Sequence, residues 1–172
     1  MLETDLLPWV LTVGDLGDDV LEMGPGPGLT TDLLRQRATR VTAVEVDADL
    51  ARLLEERLAG TNVRVLHADA TSTGLPTGRF SAATSFSMMH HMPSPQDHDR
   101  LFAEVHRVLR PEGIFLAVDA LDLDFLRQGH IDDTFNPVDP DTLSERLESA
   151  GFTGIHLERM DYQFRFAAAK RG

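Results

Sequence analysis

Cysteine is absent from this 172-residue chain. Disulfides, thiolate catalysis and cysteine-based zinc sites are therefore excluded. Basic residues are scarce: 16 Lys+Arg stand against 28 Asp+Glu, a formal net charge of −12. Binding nucleic acid through a basic face needs the opposite balance, because affinity there comes from displacing counterions. The same deficit argues against an anionic membrane surface as partner. No run approaches the ~18 apolar residues of a membrane span. The opening MLETDLLPWV lacks a basic stretch followed by an apolar one. No secretory signal is read, and a cytoplasmic location is the default. Internal repeats and low-complexity linkers are also missing. Hydrophobic residues make up 42% of the chain, enough at this length for one packed core. A single domain over 1–172 is expected.

What is present alternates short apolar runs with helical periodicity. Val20–Met23 reads as a strand that enters a glycine cluster. Thr30–Ala38 follows as a helix with Leu33 and Leu34 inward. Val41–Val46 is a β-branched strand. Ala48–Ala59 is a helix with Leu50, Leu53, Leu54 and Leu58 at helical spacing. Val63–His67 and Phe80–Phe86 are the third and fourth strands. Gln96–Leu109 is a helix stopped by Pro111 and Gly113. Ile114–Val118 is the fifth strand and Pro140–Ala150 the last helix. Strands near Thr153–Arg159 and Gln163–Ala169 close the chain. Such alternation implies a parallel sheet with helices on both faces. The fold class expected is α/β: a Rossmann-like, doubly wound, mostly parallel seven-stranded sheet with an antiparallel C-terminal strand pair. Sheets of this kind bind ligands beyond the carboxyl ends of their strands.

Three strand ends carry candidate binding residues. Leu21-Glu22-Met23-Gly24-Pro25-Gly26-Pro27-Gly28 ends the first strand and opens a helix. Glycine there lets a ligand approach the backbone where a Cβ would block it. The helix start offers free N–H groups. A tight strand–helix turn is the simpler use of the same glycines. The spacing is G-x-G-x-G, not the G-x-G-x-x-G of dinucleotide enzymes. Glu45 ends the second strand inside an apolar run, where a carboxylate can accept from both hydroxyls of a ribose. Asp47 and Asp49 suit the helix that follows. Asp69 follows the third strand, and an ionised carboxylate there suits a base amine. Its simpler role is to start a turn before Thr71.

These motifs resemble those of class I S-adenosylmethionine (SAM) methyltransferases. The resemblance implies SAM as cofactor. It places Glu22, Gly24, Gly26 and Gly28 around the methionine part, Glu45 on the ribose and Val46 on the adenine face. Asp69 falls on the adenine amine, with Ala70 and Ser85 as further contacts. From Val20 to about Ala70 the chain is similar to ribosomal RNA adenine dimethyltransferases, in VLEMGPGPGLTTDLL and RVTAVEVDADLARLLEERL. That group carries an Asn-Pro-Pro-Tyr-like motif after strand four, which holds a flipped base. Here the chain reads Thr84-Ser85-Phe86-Ser87-Met88-Met89-His90-His91-Met92-Pro93 instead. The second half resembles small-molecule methyltransferases of the ubiquinone/menaquinone-biosynthesis-like group. These carry a Leu-His-His stretch after strand four and a helix ending RVLRPEG, here Arg107–Gly113. Ser81 stands where many relatives have Asp, which bears on strand entry more than on chemistry. The implied function is enzymatic methyl transfer from SAM to a small molecule, with no nucleic-acid or membrane partner. An rRNA or protein methyltransferase on the same fold is one alternative, and a non-catalytic SAM-binding module another.

His90 and His91 are the candidate catalytic residues, placed where relatives border the methyl group. Imidazole exchanges a proton near neutral pH; capping and packing are the simpler roles. No metal site is read, because adjacent residues of an extended chain point to opposite faces. Residues 119–139 are long for a connection. They are expected to hold a short helix over Leu121–Gln128 and to act as a substrate lid, with their acidic residues solvated. Residues 1–19 are expected to be helical, with Trp9 and the leucines of Leu2–Leu11 making one amphipathic face. The substrate is then capped by the 119–139 segment, left open, or covered by a homodimer partner. Met88, Met89, Met92, Phe125 and Phe135 suit an adaptable apolar pocket.

Overall fold

The structure, a computed structural model, describes residues 6–131 and 133–172. Residues 1–5 of the expected N-terminal helix, Leu2 among them, and Asp132 of the acidic segment lie outside the described residues. The chain forms β1 (Asp19–Met23), β2 (Arg40–Glu45), β3 (Val63–His67), β4 (Phe80–Phe86), β5 (Leu109–Ala120), β6 (Phe152–Arg159) and β7 (Gln163–Lys170). The helices are α1 (Leu7–Val13), α2 (Leu29–Leu34), α3 (Ala48–Arg57), α4 (Pro95–Val108), α5 (Asp124–Gly129) and α6 (Pro140–Ser149). None of the described helices is long and apolar enough to cross a membrane.

The sheet order is β3-β2-β1-β4-β5-β7-β6. β1 to β5 run parallel, while β7 pairs antiparallel with both β5 and β6. This is the expected doubly wound α/β sheet with an antiparallel C-terminal pair. Its order reverses between β1 and β4, which makes their carboxyl ends the switch point.

Burial on both faces explains why the central strands read as apolar runs. Side chains alternate across the sheet. Leu21, Met23, Val44 and Ala83 join Leu101, Phe102 and Val105 of α4 and Leu143 and Leu147 of α6 in the larger core. Val20, Val41 and Ala82 join Val10 of α1 and Leu34 of α2 on the other face. β4 is poor in strand formers, yet it is buried over Phe80–Ser85 because its small residues sit at the centre of the sheet. Ser81 does act at strand entry. Its hydroxyl accepts from Asp19 N at 3.1 Å and lies 2.7 Å from Leu16 O.

Local signals set the helix starts. Asp47 caps α3 by accepting from Asp49 N and Leu50 N, each at 2.9 Å. Ser94 caps α4, with Pro95 in its first turn. Three expectations are corrected. α2 ends at Leu34 rather than Ala38, because the chain then runs through turns into β2. α3 packs through Ala51, Leu54 and Leu58, so Leu53 stays exposed and Leu50 turns toward the cavity described below. β5 begins at Leu109, with a register irregularity opposite Phe80 and Ala82, so Pro111 and Gly113 lie within an extended segment.

Candidate active site

Beyond the carboxyl ends of β1, β2, β3 and β4 lies a cavity of about 930 Å³. Its first wall is the glycine loop after β1. Gly26 lines the cavity at φ 52°, and a Cβ built there would meet nothing within 4 Å. Its backbone thus faces open space that a ligand can occupy. Gly28 differs. It does not line the cavity, and at φ 85° its Cβ would fall 2.4 Å from Leu54 Cδ1 and Arg57 Nη2. Glycine is needed there to let α3 pack, not to admit a ligand.

Two carboxylates stand on the next walls. Glu45 Oε2 accepts from Gly26 N and Oε1 from Asp47 N, each at 3.0 Å. Those bonds fix the carboxylate and leave each oxygen a further lone pair. Asp69 Oδ1 accepts from Thr71 N and Thr71 Oγ1 at 2.7 Å, which leaves Oδ2 for another donor. Val46 and Ala70 line the same end. Val46 is 67% exposed, an uncovered apolar face beside the two carboxylates. Glu22 does not touch the cavity. It is buried under the loop, where its carboxyl accepts from Thr30 Oγ1 and, at 2.6 Å, from Thr31 Oγ1. Burial, opposed by those hydroxyls, pushes its pKa up to about 7.

After β4 the chain turns through a short 3-10 helix, Met89–His91. His98 of α4 supports it through Nε2, 2.8 Å from Met89 O. This corrects the expectation of an extended segment there. The turn brings the His90 and His91 rings to 4.1 Å instead of sending them to opposite faces. His90 is buried and does not reach the cavity. Its Nδ1 bonds the fully buried Asp119, whose carboxylate also accepts from Met89 N at 2.7 Å. His91 does line the cavity, and burial followed by the neighbouring His90 ring holds its pKa below the usual histidine value.

The family described as "Methyltransferase domain" matches residues 21–117, more than half of the chain. The chain belongs to the class I SAM-dependent methyltransferases. A probable SAM-dependent methyltransferase of Mycolicibacterium smegmatis is 32% identical over 141 residues, 79% of this chain and 52% of that one. Ribosomal RNA small subunit methyltransferase A of Deinococcus radiodurans is 45% identical over 65 residues, 36% of this chain and 22% of that one. The chain thus spans about half or less of the curated relatives it matches. Phosphoethanolamine N-methyltransferase 2 of Haemonchus contortus, solved with phosphomonomethylethanolamine and S-adenosylhomocysteine, shares the fold at TM-score 0.83 and 15% identity. That match covers 98% of this chain and 53% of that one.

The methyltransferase cavity brings together Gly24, Gly26, Glu45, Val46, Asp69, Ala70 and His91. Glu22, Gly28, Ser85 and His90 stand behind its walls. Ser85 is fully buried in the sheet, and its hydroxyl has no partner among the described residues. The apolar pocket residues also divide. Met88 and Met92 line the cavity, Met89 is core, and neither Phe125 nor Phe135 reaches the wall. Sequence reasoning missed Met160, Gln163 and Arg165, which close the far side. Nothing local marks them. They arrive because β7 inserts between β5 and β6. Arg165 is held there by Glu158, with its Nε 2.7 Å from the carboxylate, and by stacking over Trp9.

Proposed function

We propose that this methyltransferase binds SAM at the carboxyl ends of β1, β2 and β3. The methyl group then passes to a small-molecule acceptor held in the remainder of the same cavity. One observation carries the reading: a single cavity joins two differently held carboxylates and a bare glycine backbone to an apolar chamber walled by Trp9, Phe86, Met88 and Met92. The cofactor end fits its ligand. Glu45, fixed by two backbone N–H groups, accepts from the ribose hydroxyls. Asp69 accepts from the adenine amine, Val46 covers the adenine face, and Gly26 leaves room for the methionine part. When bound, SAM would supply an electrophilic methyl group on its sulfonium; the acceptor atom would bond to that carbon as the carbon–sulfur bond breaks and the neutral thioether leaves in line.

The chain's own contribution is then mostly positioning. Holding the acceptor atom ~3 Å from the methyl carbon can supply much of the barrier reduction. A protein base is needed only when the acceptor loses a proton. Of the two histidines, only His91 faces the cavity; His90 acts through it as a positioning residue, locked by Asp119. Beside its apolar side chains the chamber wall carries His91, Asp97, Asp133, Gln163 and Arg165, which suits a compact acceptor with an apolar body and a few polar groups.

Calorimetry tests the cofactor half. SAM and S-adenosylhomocysteine should bind, and NAD should not. Glu45→Ala removes two charge-assisted bonds worth roughly 1.5–3 kcal/mol each. An affinity loss of ~100-fold or more is expected. Unchanged affinity in that variant overturns the ribose assignment. Methyl-labelled SAM incubated with cell extract tests the acceptor half: label should enter a low-molecular-weight product, and label confined to macromolecules overturns it.

A further inference from the structure

Three imidazoles from separate parts of the chain meet beside the methyl-transfer cavity. His90 and His91 come from the 3-10 turn after β4, and His130 from the end of α5. One ring nitrogen of each lies within 4.8 Å of the other two. Ring centroids are 4.1 Å apart for His90 and His91, 5.3 Å for His90 and His130, and 5.4 Å for His91 and His130. Three basic groups at such spacing repel when protonated, so the cluster is held for another reason.

The surroundings of the rings supply that reason. Each Nδ1 faces an oxygen. His90 Nδ1 bonds the buried Asp119 carboxylate. His91 Nδ1 lies 2.9 Å from Asp133 Oδ2. His130 Nδ1 lies 2.7 Å from the carbonyl of Leu126. Carboxylates and carbonyls accept hydrogen bonds, so in the neutral ring each arrangement favours the Nδ1–H tautomer, in which Nε2 carries the lone pair. A carboxylate or carbonyl on the far nitrogen is the outer-shell arrangement that orients a metal-ligating imidazole and raises its basicity. Phe135 stacks on His130 at 4.6 Å and sets the orientation of that ring.

We propose that His90, His91 and His130 bind one divalent cation of the zinc class through Nε2. Imidazole donors suit zinc, cobalt, nickel and copper over magnesium or calcium. A tetrahedral ion with bonds of ~2.05 Å needs nitrogens ~3.3 Å apart, inside the 4.8 Å within which the ring nitrogens lie, so the cluster tightens on binding. His130 can supply that movement. It follows a six-residue surface helix in which no residue is buried. His91 and Asp133 form part of the cavity wall, so we assign the fourth position to the cavity side. It suits water or, on the methyl-transfer reading above, an oxygen donor of the acceptor. A ligating Nε2 takes no proton, so this assignment replaces proton transfer by His91.

The test uses the untagged chain, titrated with Zn²⁺ by calorimetry and with Co²⁺ by visible spectroscopy. One equivalent should bind at roughly micromolar Kd or tighter, with Co²⁺ giving the intense visible bands of a tetrahedral site. His130→Gln removes a ligand from the surface segment without touching the core, and should weaken binding by ~100-fold or more. Asp119→Asn leaves all three ligands and should cost about 10–100-fold. His156→Gln, on the exposed edge strand β6, should change nothing. Absent binding, more than one equivalent, or unchanged affinity in His130→Gln overturns the site. SAM binding measured on the same preparation fails or holds independently, which separates this proposal from the cofactor reading.

Discussion

Glu22 shows how a residue chosen for one role serves another. The sequence places it two positions before the first glycine of the loop, beside the ligand. In the fold it lies beneath the loop and holds Thr30 and Thr31 of α2. Its pKa rises to about 7 from an ordinary value of 4.5, chiefly through burial. The folded state therefore keeps a proton that the unfolded chain releases. The sign follows: stability falls as pH rises through that window, by up to ~1.4 kcal/mol per unit for one proton, and the full cost is present above it. Urea unfolding at pH 5 and pH 8 should show wild type losing about 2 kcal/mol relative to Glu22→Gln. Equal losses in the two proteins would mean that Glu22 is not the titrating group. Glu45 and Asp69 were legible as cavity residues at this scale because Glu45 ends β2 and Asp69 comes two residues after β3, and strand ends are where this architecture opens. The burial of Glu22 was not, because the residues that cover it belong to a helix whose packing no local pattern records.

At the scale of elements, the segment between β5 and α6 links the site to the surface. It carries α5, no residue of which is buried, and then doubles back onto the 3-10 turn. Asn136 makes that junction: its N–H donates to His90 O at 2.7 Å and its side-chain amide to Met92 O at 3.1 Å. The expected short helix is present, shifted to Asp124–Gly129. Among the described residues of 121–139, only Asp133 reaches the cavity wall, while Phe125 packs on Tyr162 instead. Replacing residues 124–129 with a Gly-Ser linker should therefore leave the fold and SAM affinity within about twofold of wild type, since loop closure costs change slowly with chain length. Acceptor KM should rise, because the junction that places Asp133 is loosened. An equal loss of SAM affinity would sink this division of labour. The sequence signals for the segment were its length, a short helical stretch and two phenylalanines; none of them marks how it docks. Its docking depends on backbone groups of the 3-10 turn, which no residue pattern announces.

Charge belongs to the whole molecule. The net charge of −12 disfavours approach to a polyanion and favours a cation such as SAM. Many of the arginines are engaged by carboxylates: Arg40, Arg79 and Arg110 gather on Asp18 and Asp19 at the end of the sheet opposite the cavity. The single lysine, Lys170, donates to the carbonyls of His106 and Leu109. With the cations so placed, ribosomal RNA should neither shift in a gel at physiological salt nor accept methyl groups. Methylation of that RNA abolished by Glu45→Ala would restore the nucleic-acid reading that the relatives' names raise. The sequence by itself determined the strand–helix alternation, the glycine loop and the acidic strand ends, because each is written within a few consecutive residues whose period and side-chain chemistry act locally. Tertiary structure alone decided which of those residues face the cavity and which stand behind it. It also brought β7 and Arg165 to the far wall, and His130 to His90 and His91. Such contacts join residues dozens of positions apart, and their geometry is set by sheet order and by packing across faces rather than by any pattern along the chain.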